Sequence, residues 1–277
     1  MRLEWSAKET SVRTRGAAKI AALVLIAMDA IIYVTEPFSE IWNDILAKLL
    51  LVVAASFAAA VATLVWARYE KTDEPRRIWS WFAVGLWLWV AAELIWGYAN
   101  FSQGKVSEGI ADVFWVAAYL FFGQALLIQY RILVQPSKRG LWGRVVVAIL
   151  FLFVLYMLLY SLLTSGVDAQ SQYSASVNLF YPVADLFLAS IALWLARHFR
   201  GGAFSRPWLG LLAFSFTDLF FAWLEISGIY SWSVDQANLW SALFDITYLG
   251  AYLILGLGLL SQWVFLKYGL RSPTSAH

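Results

Sequence analysis

Apolar residues run along the chain in blocks of about twenty, separated by short stretches rich in charge, proline and glycine. The pattern predicts eight membrane-spanning helices, at about 18–35, 43–68, 78–100, 109–134, 142–164, 177–198, 206–229 and 238–266. At ~1.5 Å per residue most are long enough to cross a hydrocarbon core of ~30 Å. Five of the six prolines, Pro37, Pro75, Pro136, Pro207 and Pro273, fall where the chain must turn or start a helix, and Pro182 alone lies inside a span. The predicted fold is therefore all-α and polytopic. A single membrane domain covers 18–266, flanked by short tails at 1–17 and 267–277.

Lysine and arginine are distributed unevenly between alternate loops, and this bias sets orientation. One side receives the basic N-terminal stretch with Arg13, Arg15 and Lys19, then Arg68, Lys71, Arg76, Arg77, Arg131, Lys138, Arg139, Arg144, Arg197, Arg200, Arg206, Lys267 and Arg271. The other side has only Lys105, together with the acids Glu36, Glu40, Asp44, Glu108, Asp168 and Asp235. Both termini are expected in the cytoplasm of a prokaryotic cell, with the helices in its plasma membrane. The basic stretch before the first apolar run has the outline of a signal peptide, but Asp29 and the bulky Ile31-Ile32-Tyr33 stand where small residues would be cleaved, so the first helix is expected to remain.

A repeat reinforces the even count. Gly85-Leu86 falls on Gly210-Leu211 and Glu93-Leu94 on Asp218-Leu219, while the stretch from Asp112 through Tyr119 to Gly123 falls on that from Asp245 through Tyr252 to Gly256. Both copies run the same way, which predicts two parallel four-helix repeats, about 18–134 and 142–266, around an axis along the membrane normal.

Composition narrows the chemistry. Of 277 residues, 61% are hydrophobic and 14% charged, which excludes an ordinary soluble domain. The absence of cysteine removes disulfides and thiol catalysis, and the two histidines, His198 and His277, lie outside the predicted membrane core, so no histidine-ligated metal and no cofactor is expected. A net charge of +2 gives no reason to expect nucleic acid. Of the sixteen tryptophans, Trp42, Trp66, Trp79, Trp142, Trp232, Trp240 and Trp263 fall near helix ends and fit an interfacial belt. Gly256-Leu257-Gly258 fits close helix packing.

Seven acids remain inside apolar helices: Asp29, Glu93, Asp112, Asp185, Asp218, Glu225 and Asp245. Each costs up to roughly 2.5–3.5 kcal/mol near a helix centre on insertion scales. Nearly all fall in the outer half of the predicted membrane, with aromatic residues at helical spacing: Trp115 and Tyr119 after Asp112, Tyr248 and Tyr252 after Asp245, Tyr181 before Asp185, Trp89 and Trp96 around Glu93. Lys48 is the lone cation within a span. Such a lining combines charge, hydrogen bonds and cation–π attraction, which suits an amine, another organic cation or a proton. The candidate ligand-binding residues are thus Glu93, Asp112, Tyr119, Asp185, Asp218, Asp245 and Tyr252, around an outward-facing cavity. The competing explanation is structural: buried carboxyls can simply hydrogen-bond neighbouring helices.

Tyr181-Pro182-Val-Ala-Asp185-Leu resembles the tyrosine-proline-x-x-aspartate motif of the multi-helix membrane region found N-terminal to some bacterial GGDEF/EAL signalling proteins. Glu108-Gly109-Ile-Ala-Asp112-Val-Phe-Trp is similar to that region's proline-serine-x-x-aspartate helix start, with Glu108 and Gly109 replacing proline and serine. The resemblance implies a sensory or ligand-binding module; with about ten residues after the last span, its output would pass to a cytoplasmic signalling partner. A second resemblance, carried by Phe214-Ser215-Phe216-Thr217-Asp218 and Glu93, is to lysoplasmalogenase-type membrane hydrolases, and implies a carboxylate pair acting on a lipid. The leading expectation is a non-enzymatic module in the lipid bilayer that binds a small cationic or lipid ligand. An intramembrane lipid hydrolase and a proton- or cation-coupled transporter are the alternatives.

Overall fold

The computed structural model describes residues 2–101, 109–134, 169–199, 201–231 and 233–269, and all structural statements concern these. They form seven helices: α1 (Arg2–Thr35), α2 (Glu40–Trp66), α3 (Glu74–Phe101), α4 (Gly109–Leu133), α5 (Ala169–His198), α6 (Arg206–Ile226) and α7 (Leu239–Tyr268), with a 3₁₀ turn at Val234–Gln236. No strand occurs among the described residues. Only helices satisfy every backbone polar group within one apolar segment, and all seven contain a stretch long and apolar enough to cross a membrane. The protein is a multi-pass membrane protein. The predicted span 142–164 lies outside the described residues.

The other spans match to within a few residues except at two N-terminal ends. α1 starts at Arg2, so helix continues through much of the predicted tail, where an Arg13–Glu9 contact of 2.6 Å spans one turn and no proline intervenes. α5 starts at Ala169 rather than near 177 and continues unbroken through Pro182.

Helices α2 to α7 pack in sequence, and α7 closes back onto α2, giving a ring of six with α1 outside against α7 and, less, α2. In α7, 61% of the span is buried, against 17% in α1, so α7 is the most enclosed of the seven spans and α1 the least. Lipid tails are as apolar as leucine, so helices gain little from hydrophobicity when they associate and depend on close packing. The α2 face supplies it with Ala54, Ala55, Ala58, Ala59 and Ala62, all essentially inaccessible. As expected, Gly256 and Gly258 admit neighbours: an added Cβ would lie 2.5 Å from the Phe57 ring and 2.6 Å from the Arg206 carbonyl oxygen, respectively.

The ring is filled by aromatics reaching across from α3 and α6. Trp79 stacks on Trp208 with centroids 5.5 Å apart, and Trp89 meets Phe214 edge-to-face at 5.0 Å. Trp79 is only 3% exposed, which corrects its assignment to the interfacial belt: it lies one turn inside α3, on the face turned toward α6. Trp42 and Trp240, by contrast, are exposed as a belt requires. Trp142 and Trp232 lie outside the described residues.

Cross-helix contacts fix directions. Asp112, Tyr119 and Tyr130 of α4 meet Tyr181, Asp185 and Trp194 of α5 in the same order, so these two helices run parallel. α3 and α6 also run parallel, through Trp79–Trp208 and Trp89–Phe214. One end of the bundle carries Arg68, Arg131, Arg197, Arg206 and Lys267, and the other Asp44 and Asp235; the start of α1 and the end of α7 share the basic end.

Candidate functional site

Glu93, Asp112, Asp185 and Asp245 each meet a phenol from outside their own helix. Glu93 of α3 is buried, and its Oε1 accepts the hydroxyls of Tyr248 at 2.9 Å and Tyr252 at 2.8 Å, both from α7. The Trp89 indole N–H donates to the Tyr248 oxygen at 3.2 Å, extending the chain. On α4 and α5 the pairing crosses over: Tyr181 donates to Asp112 at 2.6 Å and Tyr119 to Asp185 at 2.7 Å. The turn spacing that puts Asp112 and Tyr119 on one face of α4 also puts Tyr181 and Asp185 on one face of α5, so two parallel helices exchange two hydrogen bonds.

Asp245, at the acidic end of α7, accepts from Tyr33 of α1 at 2.7 Å and from Tyr230 at 2.8 Å. Tyr230 sits in the connection before α7, where burial, then the Asp245 carboxyl, holds its phenol well above the ordinary range and keeps it a donor. Asp44 and Asn43 of α2 fasten the same connection: the Val234 N–H donates to Asp44 Oδ1 at 2.7 Å, and Asn43 Nδ2 to Asp235 Oδ1 at 3.2 Å. Lys48 lies within electrostatic range of Asp29, Glu93 and Asp245, with its ammonium 4.2 Å from the centre of the Trp96 ring. It is shared by several acids rather than assigned to one, and no ion pair within 4 Å joins it to an acid among the described residues.

A cavity of about 80 Å³ opens inside the ring between α3, α4, α5, α6 and α7. Asp185, Asp218 and Glu225 line it together with Trp89, Trp115, Tyr119, Tyr181 and Tyr248, and with Phe221 and Ala222 of α6. It extends from Asp218, near mid-helix, to Glu225 in the last turn of α6. Three polar atoms here are covered yet reach no hydrogen-bond partner among the described residues: Asp185 Oδ2, Asp218 Oδ2 and Trp115 Nε1. Asp185 is entirely inaccessible, whereas Asp218 keeps some exposure although its Oδ2 is covered. Asp218 lies close to Asp185, Glu93 and Tyr119. Leaving such atoms unpaired typically costs ~1–3 kcal/mol each, so the cavity is an incomplete polar environment.

Of the seven candidates, Tyr119, Asp185 and Asp218 line this cavity. Glu93 and Tyr252 stand behind Tyr248, joined to it by hydrogen bonds or phenol contact. Asp112 touches the cavity wall through Tyr181, and Asp245 belongs to the separate Tyr33–Tyr230 group. Sequence reasoning did not single out Tyr33, although it follows Asp29 by one helical turn, nor Phe221 and Ala222, whose apolar character carries no signal. Among the described residues no three His, Asp or Glu side chains are grouped to hold a metal ion. Comparison with family models, with curated proteins and with solved structures gives no match to this chain.

Proposed function

We propose that this multi-pass protein is a sensory or ligand-binding module whose Asp185–Asp218 cavity takes a small cationic ligand. The carrying observation is that two buried carboxylate oxygens, Asp185 Oδ2 and Asp218 Oδ2, lack partners beside a cavity walled by aromatic rings. Glu93 and Asp245, by contrast, have no covered oxygen without a partner among the described residues. A cation entering the cavity gains charge-assisted hydrogen bonds and the faces of Trp89, Trp115 and Tyr181.

The resemblance to the membrane region of GGDEF/EAL signalling proteins supports a sensory role, since its two aspartates, Asp112 and Asp185, both serve in joining α4 to α5. A ligand at Asp185 that favours one packing of these helices would shift their basic ends, and a cytoplasmic partner would read the shift. We take the architecture to be two parallel four-helix repeats, with 142–164 as the fifth crossing. The parallel course of α4 and α5 supports an odd number of crossings between them. Equivalent contacts in the two copies support the repeat: Gly85 lies against Phe122 and Gly210 against the matching Leu255, while Trp89 meets Tyr119 at 5.1 Å and the matching Phe214 meets Tyr252 at 4.9 Å.

The test is a thermal-shift series on purified protein with small ammonium ions. Stabilisation by at least one of them, lost in Asp185→Asn and Asp218→Asn variants that still unfold cooperatively, is the expected result. No stabilisation of the parent protein by any of them would overturn the reading. The lipid-hydrolase alternative is favoured by one observation, the proximity of Asp218 to Asp185 and Glu93, and predicts turnover of lysolipids by the purified protein.

A further inference from the structure

We infer that the ligand of this cavity is a small primary ammonium with a hydrogen-bond acceptor beside it, because the cavity leaves two carboxylate oxygens wanting donors and one indole N–H wanting an acceptor. This rests on the cavity being a binding site, and adds which chemistry completes it.

Two acids of the ring, Glu93 and Asp218, have different surroundings. Glu93 in α3 and Asp218 in α6 stand at matching positions of the aligned segments, as do Tyr252 with Tyr119 and Tyr248 with Trp115. Around Glu93 no covered polar atom is left over among the described residues: Tyr252 and Tyr248 both donate to Oε1, and Trp89 donates onto the Tyr248 oxygen. Around Asp218 the same positions fall short. Tyr119 stands within hydrogen-bonding reach of both Asp218 and Asp185, but it has one proton, and that goes to Asp185 Oδ1 at 2.7 Å. Where Glu93 has the Tyr248 phenol, Asp218 has the Trp115 indole, whose N–H meets no acceptor among the described residues. What a tyrosine does at Glu93 is left undone at Asp218, and the space left over is the cavity.

The guest that completes the Asp218 surroundings is defined by what is missing. Two carboxylate oxygens require at least two donors, which a primary ammonium supplies along separate N–H directions. A quaternary ammonium offers the same charge and the same attraction to the rings, but no N–H. A bare alkali ion satisfies the carboxylates and offers the indole N–H nothing. The Trp115 N–H requires an acceptor such as a hydroxyl oxygen. Size sets the upper bound: an apolar cavity of about 150 Å³ takes benzene, so about 80 Å³ corresponds to roughly three to five heavy atoms. An aminoethanol fits each requirement.

The experiment measures binding of ethanolamine, ethylamine, tetramethylammonium and sodium to the protein in phosphatidylcholine nanodiscs, whose headgroup has no N–H to compete. Ethanolamine is expected to bind at least about tenfold more tightly than tetramethylammonium, the loss of one hydrogen bond to a charged group, and more tightly than ethylamine. Trp115→Phe keeps an aromatic ring and removes the N–H; it should erase the preference for ethanolamine over ethylamine while both still bind, a ratio read within one folded variant. Trp115→Tyr supplies the phenol that Tyr248 supplies to Glu93, and should raise the unliganded melting temperature while abolishing ethanolamine binding. Equal binding of tetramethylammonium and ethanolamine, or a response to sodium alone, would overturn the ammonium assignment and leave the cavity as a cation site. No binding of any probe would overturn both readings.

Discussion

Glu93 illustrates how an acid is accommodated at the centre of an apolar bundle. Its carboxyl is buried, two phenols of α7 donate to one of its oxygens, and the Trp89 indole of its own helix donates to the Tyr248 oxygen. Removing one donor leaves the others in place, so Tyr252→Phe should destabilise the protein by about 1–2 kcal/mol, measured by detergent-induced unfolding, whereas Glu93→Leu orphans the Tyr248 and Tyr252 hydroxyls together and should cost more. Equal stability of Tyr252→Phe and the parent would mean that this hydrogen bond does not contribute to folding. The acids themselves were legible in the sequence because a charge inside an apolar run is conspicuous. Their partners were not, because a helical period tells which residues share a face and nothing about which face it meets. Asp112 shares a face of α4 with Tyr119, yet accepts from Tyr181, while Tyr119 serves Asp185.

Among the helices, contact distance is set by what the glycines leave out. Gly85 lets the Phe122 ring approach α3, and Gly210 lets α7 approach α6 so closely that an added Cβ would lie 2.5 Å from the Leu255 Cα. A ring can turn aside, but a backbone atom moves only with its helix. Gly210→Ala should therefore destabilise by about 1–3 kcal/mol and Gly85→Ala by less, and the order of their unfolding midpoints checks this. The reverse order would mean that α6 and α7 can separate without loss. Gly85 and Gly210 stood out in the sequence by their place in two alignable segments, and Gly256-x-Gly258 as a packing motif, because small residues inside apolar helices have few other uses. The reach of α1 to Arg2 was not readable: charge marks where an apolar span ends, and helix continues past that point when neither proline nor a capping residue stops it.

For the molecule as a whole, the sequence specifies sidedness better than neighbourhood. Charge bias separates a basic from an acidic end, and the described helices keep that separation; which helix lies beside which depends on close packing that hydropathy does not encode, so the closure of α7 onto α2 had no signal in the sequence. The absence of cysteine makes sidedness directly measurable, since any introduced thiol is unique. Arg131→Cys and Arg197→Cys, at the ends of the parallel helices α4 and α5, should react with an impermeant maleimide only in inside-out vesicles, as should Lys267→Cys. Ser227→Cys and Gln236→Cys, both exposed at the opposite end, should react in intact cells. Labelling of Arg131→Cys and Arg197→Cys from opposite sides would contradict the parallel packing of α4 and α5, on which the exchanged Asp–Tyr pairs depend. Labelling of all five positions with the sides reversed would preserve the bundle and invert it. Asp218 and Glu225 would then open toward the cytoplasm, and the ligand would be an internal metabolite rather than an external signal.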